Sequence, residues 1–535
     1  MENFAEFKPL FEKQFIDGEW TPSTSDAFIE VENPATLEHF ARIPDGTVED
    51  VSRAVEAADR AFPDWAATPL ETRRELMRKF LEIFRGMREA IIALEVLELG
   101  APVSFAESAH CDYQFVRIAS YIEEVAKVKF VESFPASTVT REPIGVIGCV
   151  TPWNYPLGQI VQKVVPALLT GNTVVLKPSQ ATPLTACLMM EAFRRAGFPR
   201  GVVNLVSGRG SRAGARLAEE PKVGMISFTG STAVGVALAQ KALESVKRIS
   251  LEFGGKSPCV WLPGVPDYAS AASLLLNSIM LNTGQTCTAL SRLIAPRARL
   301  AEIEALLVKT LEQYPVGDPQ DPATRIGPVA SKAQYETVKR YVELGIAEGA
   351  RLVTGGVPDA PAKGWFVKPT IFSDVRPACG SLRRRSSGRC SRSFPTTPST
   401  RPSSLPTPPS TASTPWSGGR AARRPSQSPA ASARATSTST TARATSRPPS
   451  AATARAASAA RAACTTSWSS RSSRPCSTAP PSESLEASGG FPTPGPKIHS
   501  CAGAPVSRAP GASSKSVPPD IIVSRSPPKT TPSAR

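Results

Sequence analysis

GVIGCV at residues 145–150, NTVVLKP at 172–178, VVNLVSG at 202–208 and MISFTG at 225–230 are four short apolar runs, and what separates them decides the fold. Between the first and second lies GQIVQKVVPALLTG, and between the second and third PLTACLMMEAFRRAG. Both carry apolar residues at helical spacing. Strands alternating with helices predict right-handed βαβ units and a mainly parallel sheet, so the fold class is α/β. This is a nucleotide-binding architecture in outline, although alternation alone does not identify the ligand.

Working outward, FIDGEW from Phe15 predicts a short strand pair turning at Asp17-Gly18. VEDVSRAVEAADRAF predicts one helix, and ETRRELMRKFLEIFRGMREAIIALEVLELG a second that runs until Gly100 and Pro102 end it. VAKVKFVESFPASTVTREP carries a partly alternating strand pattern. A second α/β unit begins near Gly254 and runs to GWFVKPTIFSDV, with EIEALLVKTLEQY and SKAQYETVKRYVELGIAEGA as amphipathic helices.

The charge is unevenly placed. The chain carries 62 Lys+Arg, 46 Asp+Glu and a net charge of +16. Of these, 22 basic residues and only Glu483, Glu486 and Asp520 lie beyond Pro377, so residues 1–377 are slightly acidic and the excess belongs to the tail. The overall charge therefore says nothing about the partners of the folded part. Ten cysteines without a CxxC pair, and three histidines, suggest neither a disulfide framework nor a metal site. No secretory n-region and h-region opens the chain, and no apolar run reaches membrane-spanning length. A soluble, cytoplasmic protein is expected, with no membrane partner.

Residues 281–293, LNTGQTCTALSRL, place Cys287 among Gly, Thr and Asn after the apolar helical run AASLLLNSIM. There, near the end of that run, backbone N–H groups can favour a thiolate and a carbonyl can reach it. A lone cysteine in apolar company is more often an inert core residue. Here LEFGGKSP with Glu252 and TPWNYP with Asn154 lie upstream, which adds a carboxylate and an amide donor to the thiol.

FTGSTAVG, LEFGGKSP, GQTCTALSRL and TPWNYP, in their order and spacing here, resemble the aldehyde dehydrogenase superfamily from Phe15 to Val375. The resemblance implies a Rossmann-type cofactor domain (1–253), with an oligomerisation arm at about 125–142, and an α/β catalytic domain (254–377). It implies NAD as cofactor, a small-molecule aldehyde as substrate and a homo-oligomer. Cys287 would attack the aldehyde to form a thiohemiacetal, and Glu252 would activate the water that hydrolyses the resulting thioester. Relatives that pass the acyl group to coenzyme A generally lack that Glu, so the free acid is the expected product. Asn154, fixed between prolines, would aim its amide at the oxyanion beside the Cys287 N–H, a donor worth about 3 kcal/mol of barrier.

For the dinucleotide, Gly230, Ser231 and Gly235 in FTGSTAVG would open a helix toward phosphate. They do not form the GxGxxG fingerprint. Lys177 would reach the adenosine ribose, with Trp153, Ser179 and Gly208 nearby. Where many NAD-dependent relatives carry a Glu for both ribose hydroxyls, this chain has Gln180, which removes a charge that repels a 2′-phosphate. NADP is thereby admissible, with NAD kept first because Gln can still hydrogen-bond the hydroxyls.

Beyond Pro377 Ser, Arg, Ala, Pro and Thr dominate, and residues 378–535 read as a disordered, low-complexity basic tail. Relatives continue here with an EEIFGP motif. Offsetting the codons by one base, with third bases free, lets ACGSLRRRSSGRCSR (378–392) encode EEIFGPVLS. The same offset gives YGLHAVVW over Ser410–Gly418, GNVNINN over Arg434–Ala442 and PFGGYGASGFGRE over Pro448–Arg461. Four family motifs in order point to translation in the wrong frame from about Ala378, which leaves the catalytic domain incomplete and the chain inactive. The alternative is a non-catalytic nucleotide-binding scaffold whose basic tail contacts nucleic acid, a partner the frame reading does not expect.

Overall fold

The computed structural model describes residues 3–358, 363–375 and 390–393. The expectation of disorder beyond Pro377 lies outside the described residues, apart from Cys390–Ser393.

In chain order the strands are β1 (Gln14–Ile16), β2 (Glu19–Thr21), β3 (Phe28–Glu32), β4 (His39–Pro44), β5 (Val131–Phe134), β6 (Ser137–Thr140), β7 (Val146–Val150) and β8 (Thr173–Lys177). They continue with β9 (Val203–Leu205), β10 (Val223–Gly230), β11 (Arg248–Phe253), β12 (Pro258–Val260), β13 (Arg292–Ile294), β14 (Arg351–Thr354), β15 (Thr370–Ser373) and β16 (Cys390–Ser393).

The four apolar runs become β7, β8, β9 and β10. They lie in a seven-stranded sheet of order β11-β10-β7-β8-β9-β1-β2, in which β7 to β11 are parallel and the β1/β2 hairpin adds an antiparallel edge. β7 and β8 are buried along their whole length, as strands covered on both faces must be. The hairpin turns at Asp17 (φ 54°) and Gly18 (φ 77°), two left-handed residues whose twist suits a two-residue hairpin loop. A second sheet, β12-β13-β16-β15-β14, is parallel except for β14. The first sheet therefore ends at Phe253 and the second begins at Pro258. The predicted strand pattern around residues 131–140 is the exposed hairpin β5/β6, with Val131 and Phe134 facing outward.

Two expectations need correction. The long helix read from residue 71 to Gly100 is two helices, Leu70–Arg85 and Arg88–Leu99. Gly86 breaks it, its N–H bonding back to Glu82, Ile83 and Phe84 while Met87 turns into the core. A continuous apolar period cannot reveal a break in which the buried face resumes beyond the glycine. The second correction is β16, where the sequence shows no strand periodicity. Its backbone pairs in parallel with both β13 and β15. Ladder hydrogen bonds come from the main chain, so a gap between two strands can be filled by residues without a strand pattern.

The main core gathers Trp65, Phe80, Phe84, Phe193 and the apolar residues of Pro156–Leu169 and Leu184–Ala196, the helices that follow β7 and β8. The Arg88–Leu99 helix packs there as well, yet it carries two fully buried carboxylates, Glu95 and Glu98. Leu157, at the start of the first of these helices, donates its N–H to Glu95 at 3.4 Å. Leu184 and Thr185, at the start of the second, donate theirs to Glu98 at 2.8 and 3.4 Å. Helix N-termini leave N–H groups unsatisfied, and buried carboxyl oxygens here supply acceptors. Burial, reinforced by neighbouring Glu95, pushes the Glu98 carboxyl well above its ordinary range against the pull of those N–H groups.

Candidate active site

The sequence-predicted residues fall at the C-terminal ends of neighbouring parallel strands. Trp153 and Asn154 follow β7, Lys177, Ser179 and Gln180 end or follow β8, Gly208 follows β9, Gly230 and Ser231 end or follow β10, and Glu252 is near the end of β11. The strand order reverses between β7 and β10, with β8 and β9 to one side and β11 to the other. Open α/β sheets place their ligands outside the strand ends at such a reversal.

Cys287 lies on a loop. The Tyr268–Met280 helix approaches it carboxyl end first, so the N–H groups expected near the end of that run must come from the loop itself. The loop opens with Asn282 (φ 51°), Thr283 (φ 61°) and Gly284 (φ 78°), three successive left-handed residues. For the two that are not glycine this costs about 1–2 kcal/mol each, and a β-branched Thr is the harder case. Side-chain bonds hold them. Asn282 donates Nδ2 to the Asn154 carbonyl at 2.5 Å, and its Oδ1 lies 3.2 Å from His110 Nε2. Thr283 Oγ1 accepts from the Gly327 N–H at 3.1 Å, and Gln285 Oε1 from the Ala330 N–H at 2.9 Å.

Asn154 returns the contact. Its Nδ2 donates to the Gln285 carbonyl at 2.7 Å, which occupies one amide hydrogen and leaves the second for another acceptor. Tyr155 bonds Thr286 through their hydroxyls at 2.7 Å, and burial, together with the nearby Cys287 sulfur, pushes its phenol upward. Behind this loop His110, fully buried, stacks on Tyr155 with ring centres 5.0 Å apart. Its Nδ1 faces Glu95 Oε2 at 3.2 Å, off the line of a hydrogen bond.

Glu252 is exposed and pairs with Thr229 in the ladder. The turn after it reaches the cysteine loop directly, since Gly255 donates its N–H to the Cys287 carbonyl at 3.3 Å. The segments bearing thiol, amide and carboxylate are thus brought together.

At the other end of the crevice Lys177 is buried, and among the described residues no hydrogen bond or ion pair reaches its amine. Burial lowers its pKa to about 8, with Asp45 pulling the other way. Ser231 caps the Thr232–Leu243 helix by accepting from the Val234 N–H at 3.4 Å, so its own O–H stays free to donate. Gly235 has a packing reason to be glycine: a Cβ there would stand 2.3 Å from the Phe253 ring. Trp153 accepts through its carbonyl from Thr182, which ties the β7 and β8 loops together. Among the described residues no cluster of His, Cys, Asp and Glu could hold a metal, and no helix is long and apolar enough to cross a membrane.

The model of the aldehyde dehydrogenase family matches residues 20–383. The chain belongs to that family. A Staphylococcus saprophyticus relative, whose name gives aldehyde dehydrogenase as a provisional description, is 40% identical over 367 residues, 68% of this chain and 77% of its own length. Among solved structures, a cysteine-to-alanine mutant of aldehyde dehydrogenase C from Pseudomonas syringae, in complex with NAD+ and octanal, is 39% identical with a TM-score of 0.71. That likeness covers 72% of this chain and 80% of the other. The NAD+ complex of a Bacillus cereus aldehyde dehydrogenase is 33% identical, also at a TM-score of 0.71, covering 75% and 82%.

Sequence reasoning missed His110, Glu95, Glu98 and Asn282. The carboxylates left a signal, two acids three residues apart in the apolar run IIALEVLELG, which a solvated helix face does not explain. His110 left none, because it sits in a π-helical turn, Ala106–Asp112, whose register no simple period describes.

Proposed function

We propose that this site oxidises an aldehyde to the free carboxylic acid with NAD+, or NADP+, as the hydride acceptor. The observation that carries the reading is the meeting of the three segments that bear Asn154, Glu252 and Cys287, through the Asn154–Gln285 and Gly255–Cys287 bonds, at the reversal point of a parallel sheet. The residues present suit a dinucleotide, since a buried lysine amine stands at the end of β8, where the resemblance expects the adenosine ribose. The solved relatives named above hold NAD+, which keeps NAD first here.

The Cys287 thiolate adds to the aldehyde carbonyl to give a thiohemiacetal. The free hydrogen of the Asn154 amide and the Cys287 N–H stabilise its oxyanion. A dinucleotide held along the strand ends by Lys177, Ser231 and the N-terminus of the Thr232–Leu243 helix would supply the hydride acceptor that turns the thiohemiacetal into a thioester. Glu252 then removes a proton from the attacking water, and the acid departs as the thiol is regenerated. Its exposed position keeps the carboxylate in contact with water, as a hydrolytic base requires.

In this reading residues 1–253 bind the cofactor, residues 254–377 carry the catalytic cysteine, and the β5/β6 hairpin with its outward Val131 and Phe134 is the arm through which subunits associate. The family match ends at residue 383, within a few residues of the proposed frame slip. Restoring the frame from Ala378 tests both ideas. The restored protein should reduce NAD+ or NADP+ in the presence of an aldehyde, and the chain in its present frame should not. Oxidation by the present chain would refute the frame reading, and an inert restored protein would count against the aldehyde chemistry.

A further inference from the structure

The helix at Pro156–Leu169, which follows the Asn154 loop, is buried except at two residues, Gln159 and Gln162. Gly158 within it and Tyr155 just before it complete the same face, at spacings of three and four residues. The helix is therefore open along a single stripe, and that stripe begins at Tyr155, whose hydroxyl bonds Thr286 beside Cys287. Neither glutamine has a side-chain hydrogen bond among the described residues.

Arg117, half-buried on the neighbouring Tyr113–Glu124 helix, reaches this stripe. Its Nη1 donates to the Gly158 carbonyl at 3.5 Å and to Gln114 Oε1 at 3.1 Å. Gln114, buried, donates in turn to the Ala109 carbonyl at 2.7 Å, next to His110, whose ring stacks on Tyr155. A Cβ on Gly158 would stand 3.3 Å from Gln114 Nε2, so the glycine keeps room for this approach. The guanidinium is thus set about one helical turn, roughly 5 Å, along the stripe from Tyr155. The Tyr113 ring, 4.7 Å from its central carbon, holds it from the other side.

Both Nη1 hydrogens go to neutral oxygens, which leaves Nε and Nη2, an edge of the fork that matches a carboxylate. Among the described residues no acid neutralises this cation. Asp112 is taken by Arg88 at 2.8 and 3.0 Å, Glu123 by Arg74 and Glu124 by Lys127. An alkyl tail laid along the stripe would cover two amides and these N–H groups without giving them partners, which is costly. A carboxylate brings one charge and two acceptor oxygens to one guanidinium, whereas a phosphate monoester would bring between one and two charges.

Resting on the aldehyde reading above, we infer that Arg117, with Gln159 and Gln162, receives the far end of the substrate, and that the substrate class is an aldehyde whose chain ends in a carboxylate.

The test is the labelling rate of Cys287 in the full chain, which needs neither turnover nor nucleotide. Maleimidohexanoate is compared with the matching neutral amide, maleimidohexanamide, by mass spectrometry of the peptide that contains Cys287, each rate being taken relative to that of free cysteine. The carboxylate probe should react about three- to tenfold faster. Arg117→Gln should remove that advantage and leave the rate of the neutral probe unchanged, whereas Arg117→Lys, with the charge but not the fork, should keep part of it. Equal rates in the wild type, or an advantage that survives Arg117→Gln, overturn the subsite and leave Cys287 standing as the nucleophile. Equal slowing of both probes by Arg117→Gln assigns Arg117 to the support of the cysteine loop and also overturns the proposal. A Cys287 inert to both probes while other thiols are labelled counts against the nucleophile itself and takes this inference with it.

Discussion

The Nε2 of His110 lies 3.2 Å from the Oδ1 of Asn282, linking a fully buried imidazole to the first of three left-handed residues before Cys287. Through Asn282 the contact passes to the Asn154 carbonyl. His110→Leu removes the partner of a strained residue, whereas His110→Gln keeps a polar atom within reach. Hydrogen exchange across residues 281–287 should rise in the leucine variant and return toward wild type in the glutamine variant, with a stability loss of about 1–3 kcal/mol for leucine alone. Equal exchange in all three proteins would show that the loop holds its shape without the imidazole.

Cys287→Ala in the frame-restored protein should abolish aldehyde oxidation while nucleotide binding persists. Residual dehydrogenase turnover would remove Cys287 from the nucleophile's role.

Glu252→Gln, also in the restored protein, should slow deacylation more than hydride transfer. Rapid-mixing kinetics should then show a burst of reduced cofactor before a slow steady state. A uniform slowing without a burst, or acceleration of the wild type by coenzyme A, would contradict hydrolysis with Glu252 as base.

Lys177→Met should stabilise the protein while weakening nucleotide binding. The folded-state pKa of Lys177, about 8, is below its ordinary 10.5, so the cost of burying the ammonium is fully present at neutral pH. It is relieved as pH rises from the folded value toward the unfolded one. Thermal unfolding at pH 7 should favour the methionine variant by on the order of 2 kcal/mol, with the gap closing toward pH 10.

Glu98→Gln carries the opposite sign. The Glu98 carboxyl is raised above its ordinary 4.5, so its contribution to stability is complete below that value and is lost as pH rises through the folded one. Denaturant titrations of the two proteins should agree at acidic pH and diverge in favour of glutamine at alkaline pH. Parallel curves across the range would mean that Glu98 is ionised in the folded state.

The first sheet was legible because strands buried on both faces are apolar along nearly their whole length, which leaves β7 and β8 as near-continuous apolar runs. Asn154, Glu252 and Cys287 were legible as members of motifs. The hydrogen bonds that join their segments were not, because contacts such as Asn154 to Gln285 span 131 residues and leave no local pattern. The break at Gly86 was hidden because the apolar face continues on either side of it. Asp45 reads as an ordinary turn residue in IPDGT, and only the folded chain shows that it gathers arginines from beyond β9.

Glu95 and Glu98 project from one rigid rod, and each grips the start of a different helix. Those helices follow the loop bearing Asn154 and the strand that ends at Lys177. The rod is placed as a crossbar: a displacement of it would be passed to the start of both helices, and so to the two ends of the crevice proposed above for the carbonyl and the ribose. A substitution on the buried side of the crossbar, at Ile91 or Leu94, should then alter thiol reactivity and nucleotide affinity in tandem though it touches neither.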